Sequence, residues 1–176
     1  DKEAAASGKD SGYRHISLQY GDYTATFDRK TSIAGGDPYE KTSNRSYRGR
    51  SVKTVNKEDM DLVVKTKKLM GEKPVILAIN VLNPPVLGEV EPYADAIFLM
   101  FDVQRQTILD LMSGKVEPSA LLPFQMPADM RTVEEQAEDT PRDMRCYRDA
   151  DGNIYDYTFG LNWSGVIDDD RVRNYR

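Results

Sequence analysis

Hydrophobic and polar positions follow different rules in different parts of this chain. Near the start, His15-Ile16-Ser17-Leu18-Gln19-Tyr20 alternates with period two, which predicts a short strand with one buried face. Tyr23-Thr24-Ala25-Thr26-Phe27 predicts a second strand, with Gly21-Asp22 as the turn between the two. Gly35-Gly36-Asp37-Pro38 is a loop signal, and residues 39–50 have no clear period. A loop of that length in a compact domain is commonly functional or disordered.

From residue 56 the period becomes helical. Asn56 is an N-cap residue, and Glu58 and Asp59 suit the positive end of a helix dipole. Met60, Val63, Val64, Lys67 and Met70 lie near helical spacing, and Gly71 is the stop signal. Pro74-Val75-Ile76-Leu77-Ala78-Ile79-Asn80 is a continuous apolar run, the pattern of a strand covered on both faces. Asn83-Pro84-Pro85 predicts a short helix through about Glu91, because proline suits a first helical turn. Ala96-Ile97-Phe98-Leu99-Met100-Phe101 reads as a second doubly buried strand. Gln104–Ser113 then predicts a helix with Ile108, Leu111 and Met112 on one side and Gly114 just past its end. This is a βαβα unit, so a right-handed parallel sheet follows.

Beyond residue 118 the elements shorten. Residues 120–125 predict an edge strand, since Pro123 has no N–H for a central ladder. Thr132–Ala137 predicts a brief helix, and Tyr147–Tyr155 a hairpin about Asp151-Gly152. Phe159–Trp163 follows, and Asp168–Arg176 reads as a solvated charged tail.

Composition narrows the classes. The 176 residues suit one domain and can bury a core without staples. With Gly counted and Tyr left out, apolar residues make up about 40%, slightly below the usual ~45–50%, so weakly structured stretches are expected. The few aliphatics of residues 1–55 locate them, and residues 1–12 are small, polar and expected to fray. No apolar run reaches the ~18 residues needed to span a bilayer, so no membrane partner is expected. The single cysteine, Cys146, and single histidine, His15, exclude an internal disulfide and a Cys/His zinc site. A net charge of −5 gives no global attraction for a phosphate backbone, so no nucleic-acid partner is expected. The opening Asp1-Lys2-Glu3-Ala4 lacks a signal peptide's order and an initiator Met, which suggests a processed or excised piece.

Several chemistries drop out. The sequence has no Walker A loop, no dinucleotide fingerprint and no nucleophile elbow. His15 reads as a hydrogen-bonded or exposed residue rather than a catalyst, and Cys146 as a small buried hydrophobe with no base partner. Asp168-Asp169-Asp170 lacks EF-hand spacing. Glu134, Glu135, Glu138 and Asp139 read as a charged helix face. One acid has an unusual setting: Glu40 lies between Tyr39 and Arg45 in the Gly-rich loop, with Tyr47 beyond. Such a loop could present a general acid to a bound sugar, with Tyr39 or Tyr47 stacking on the ring and Arg45 bonding hydroxyls. Ordinary exposed loop residues are the alternative.

The stretch from Phe101 to Pro127, with Gln104, Ile108-Leu109-Asp110, Gly114, Pro118-Ser119 and Leu122-Pro123, resembles a signature of glycoside hydrolase family 3. Ala120 stands where the family usually has Gly. Tyr155–Trp163 is similar to the family's terminal Y-x-F-G-x-G-L segment, and Pro74–Asn80 with Asn83-Pro84-Pro85 matches its pattern too. The resemblance covers about residues 33–167, is strongest over 74–163, and points to β-glucosidase-type members.

The resemblance implies a three-layer α/β/α sandwich with a mostly parallel sheet, over residues 13–167, with an irregular C-terminal extension and the tail 168–176. In the family, this sandwich works beside a barrel that carries an Asp nucleophile. A barrel needs roughly 250 residues, more than this chain holds. Retaining glycosidases need two carboxyl groups, so the chain alone is expected to be inactive. Glu40 is then the candidate acid/base and Tyr39, Arg45 and Tyr47 substrate contacts, although Glu40 follows Tyr39 directly and Asn44-Arg45 replaces the family's Gly-Asp. The implied partners are a β-glucoside or oligosaccharide and an N-terminal barrel, with no metal or organic cofactor and a periplasmic or secreted parent. The resemblance also leads one to expect another strand and helix before the segment resembling residues 13–27, where this sequence holds twelve polar residues; a missing element would leave an edge that favours self-association. A non-catalytic carbohydrate-binding module and a structural or interaction domain are the alternatives.

Overall fold

The computed structural model describes residues 19–31, 44, 46–52, 57–137 and 140–175. The described residues form a mixed α/β fold built on one parallel strand pair. Strand β1 (Tyr23–Thr24) pairs antiparallel with β2 (Ser51–Val52). Helix α1 (Lys57–Met70) leads into β3 (Ile76–Asn80), and two 3-10 turns, Leu87–Glu89 and Glu91–Tyr93, cross to β4 (Ala96–Met100). Helix α2 (Arg105–Met112), helix α3 (Met130–Glu135), the hairpin β5 (Leu161–Asn162) and β6 (Gly165–Val166), and helix α4 (Asp170–Tyr175) complete it.

The βαβα segment forms as its pattern dictates. Helix α1 ends at Gly71, whose φ of 57° suits a residue without a Cβ. Strands β3 and β4 run parallel in the register Ile76↔Ala96 to Asn80↔Met100. Asp95 ties the unit together at its start: Oδ2 accepts from Lys67 Nζ at 2.6 Å and from the Val75 amide at 2.7 Å. The Lys67 hydrogen bond, and then that amide, hold the Asp95 carboxyl below its usual range. The crossover is 3-10 rather than α-helical. It buries Leu87 and Val90, which with Met126 form the core, against Tyr20, Met60, Leu77, Ile79, Leu99 and Phe124.

The two strands are not covered on both faces. Ile76 is 44% exposed, and no residue of α1 or α2 is fully buried. The continuous apolar runs identify strands of the parallel type without saying how much of the cover lies in this chain.

Elsewhere isolated backbone hydrogen bonds and two-residue pairings replace longer ladders. Of the first predicted strand, residues 15–18 lie outside the described residues, and Gln19 and Tyr20 form a bend. Strand β1 takes its partner from Ser51–Val52, on the far side of the loop. Residues 120–125 form no strand. They are held by Leu122 N–H to Phe159 O (2.7 Å), Thr158 N–H to Leu122 O (2.9 Å) and Met126 N–H to Tyr155 O (2.9 Å). The Asp-Gly turn is present, with Arg148 bridged to Ile154. The charged tail folds back as α4, with Val172 buried and Arg171 on the Ser119 carbonyl.

Candidate functional site

The Gly-rich segment leaves and re-enters the described structure through two stems, residues 26–31 and residues 44 and 46–50. Tyr39, Glu40 and Arg45 lie outside the described residues, as does His15; Tyr47 is within them. The stems are bound together by short polar side chains. Asp28 is buried, and its Oδ2 accepts from Ser46 Oγ at 3.0 Å and from the Tyr47 amide at 2.9 Å. The Asp28 carbonyl accepts from Arg48 Nη1 at 2.6 Å. Asn44 Nδ2 donates to the Lys30 carbonyl at 3.0 Å, and Asn44 Oδ1 accepts from the Ser46 amide at 3.0 Å. Below these contacts the Ala25 amide bonds the Arg50 carbonyl at 3.1 Å and the Gly49 amide bonds the Ala25 carbonyl at 2.8 Å.

The first stem is held in turn by α3. Glu134 is 2% exposed, and its Oε2 gathers three consecutive amides: Thr26 (2.9 Å), Phe27 and Asp28 (2.8 Å). Successive N–H groups converging on one oxygen make a nest, a geometry suited to negative charge. The Arg131 guanidinium lies 4.5 Å from the centroid of the Phe27 ring, a second link between the same two segments. Asp129 caps α3 on the Thr132 amide at 2.8 Å and also takes Arg145 at 2.6 Å.

Glu134 therefore does not belong to a solvated face, whereas its neighbour Glu135 is exposed and paired with Arg131. Helical spacing alone could not find it, because its partners are amides more than 100 residues earlier. Its other oxygen, Oε1, is buried with no hydrogen-bond partner among the described residues.

The carboxyl ends of β3 and β4 form another polar focus, and in parallel sheets ligands bind outside that edge. Asn80 Nδ2 donates to Asp102 Oδ1 at 2.9 Å, and the Asp102 amide donates to Asn80 Oδ1 at 3.1 Å. Asp102 has φ of 51°, tolerable for Asp and uncommon for other side chains.

Around Tyr147 and Tyr155 the side chains are structural. Tyr147 donates to Glu91 Oε2 at 2.9 Å, and Tyr155 stacks on Phe159 at 4.9 Å. Burial, then the Glu91 hydrogen bond, push the Tyr147 hydroxyl up to about 12. The Cys146 thiol is half-buried and raised to about 11, first by burial and then by Asp156, the reverse of an activated nucleophile. Among the described residues no group of three or more His, Cys, Asp or Glu side chains is placed to hold a metal ion. No helix among them is long and apolar enough to cross a membrane.

The sequence is similar to fungal β-glucosidases. It is 35% identical to probable β-glucosidase C of Aspergillus flavus over 97 residues, 55% of this chain and 14% of the relative. The probable β-glucosidase C of Aspergillus oryzae matches to the same extent. β-Glucosidase C of Emericella nidulans is 31% identical over 96 residues, 54% of this chain and 15% of the relative. This chain contains a glycosidase-related segment. The matched stretch spans only about a seventh of the relatives' length. No family model matches the sequence. No solved structure matches the chain.

Proposed function

We propose that this chain is the C-terminal α/β/α sandwich domain of a β-glucosidase-like retaining hydrolase of glycoside hydrolase family 3. The carrying observation is 31–35% identity to β-glucosidases over a stretch that is 14–15% of their length. In this reading the domain spans residues 13–167 and completes a site whose nucleophile lies on a separate N-terminal barrel. Glu40 serves as general acid/base, Tyr39 and Tyr47 stack on the sugar and Arg45 binds its hydroxyls. The substrate is a β-glucoside or oligosaccharide, the parent is exported, and hydrolysis needs no cofactor. Under-covered apolar positions such as Ile76, Leu82 and Phe101 support a docking role within a larger protein.

A retaining mechanism requires two carboxyl groups about 5–5.5 Å apart, and one of the pair is here assigned to another domain. The purified 176-residue chain should therefore give no turnover of an aryl β-glucoside. Adding the separately produced remainder of the parent should restore it. Turnover by the chain alone would overturn the division of labour.

A further inference from the structure

We propose that Glu134 is a positioning residue that fixes both stems of segment 31–44. This rests on the preceding reading only for what the segment does.

The ladder at the base of the stems is short. Strands β1 and β2 contribute two residues each, so their ladder is too small to hold a loop base by itself. Three consecutive amides of the first stem converge instead on one carboxylate oxygen of a residue from α3. The third of these amides belongs to Asp28, whose own carboxylate holds the Ser46 hydroxyl and the Tyr47 amide of the second stem. The chain of contacts thus runs from Glu134 through Asp28 to Ser46 and Tyr47. Charge-assisted bonds of this kind are stronger than neutral ones, and their loss leaves buried amides unpaired. The location fits a positioning role: Glu134 holds the backbone of the first stem directly, from an element remote in sequence, and reaches the second stem through Asp28.

Glu134→Gln keeps the shape and removes the charge, and Ser46→Ala removes the hydroxyl that reaches Asp28 and the Arg29 carbonyl and accepts from the Arg48 amide. Amide hydrogen exchange on the full chain reads both. In E134Q, exchange at Thr26–Asp28 and at Tyr47 should rise about tenfold or more, while β3 and β4 keep their protection. In S46A the rise should be confined to residues 46–48 and their contacts with Asp28. Unchanged exchange at the stems in E134Q, or an equal rise throughout β3 and β4, would overturn the proposal.

A second readout uses the intact parent enzyme. E134Q should slow substrates with poor leaving groups more than activated aryl glucosides, since only the former depend strongly on a well-placed acid. Equal loss on both would mark a merely structural role and also overturn it. Glu40→Gln serves as the control: if it leaves activity intact, the acid/base assignment fails, and the exchange result still decides the role of Glu134.

Discussion

Carboxylates bound to backbone amides do much of what longer strands do in other α/β proteins. Glu89 holds the Tyr20 and Gly21 amides at 2.7 and 3.2 Å, Glu134 holds three, and Asp95 holds Val75. Gly160 is the apolar counterpart. A Cβ there would lie 2.4 Å from the Ala120 carbonyl oxygen and 3.0 Å from a Leu121 methyl, so the two chain segments meet where only glycine fits. The backbone bonds of Leu122 to Phe159 and Thr158 hold that crossing shut. Gly160→Ala should cost ~1–3 kcal/mol, or more if the carbonyl cannot shift, read as a lower urea midpoint. A variant as stable as the parent chain would mean the crossing is looser than described.

At the scale of elements, the hairpin about Gly152 carries a pH dependence. Burial opposes ionisation of Asp149, but the Asn153 side chain and amide and the Tyr155 hydroxyl outweigh it and hold the carboxyl below its ordinary value. Asp156 behaves alike: burial is overcome by Gln125 and the Tyr157 amide. Carboxyls with depressed folded values contribute stability above the unfolded value, about pH 3.9, and lose it as pH falls through the folded one. The melting temperature should fall with acidification below roughly pH 4, and Asp149→Asn should flatten that slope. A variant with an unchanged acid slope would remove Asp149 as a cause. Elements also differed in how plainly the sequence announced them. Helix α1, β3, β4 and α2 were legible because helical spacing, apolar runs and stop glycines agree there. Strand β1 was legible within Tyr23–Phe27, but its partner β2 was not, since it has two residues and pairs across the Gly-rich loop. The 3-10 form of the Leu87–Tyr93 crossover was not legible, because nothing in an Asn-Pro-Pro start distinguishes the two helix types. Glu134 looked like surface because its partners are distant amides. Its spacing from Arg131 resembles any exposed helix.

At the scale of the molecule, Leu87, Val90 and Met126 form the main buried cluster among the described residues, while Leu62, Leu69, Leu82 and Trp163 are exposed. The stretch matched to its fungal relatives is 14–15% of their length. The proposed site rests on one residue, Glu40, whose place in the sequence is between the stems that carry Asp28 and Ser46. The most direct test is kcat/KM of the intact parent enzyme carrying Glu40→Gln, measured on a glucoside with a poor leaving group. A general acid/base contributes about 10²–10⁴-fold, so the account predicts a loss of that size, with the substrate still bound. A rate within a few-fold of the unmodified enzyme would contradict it.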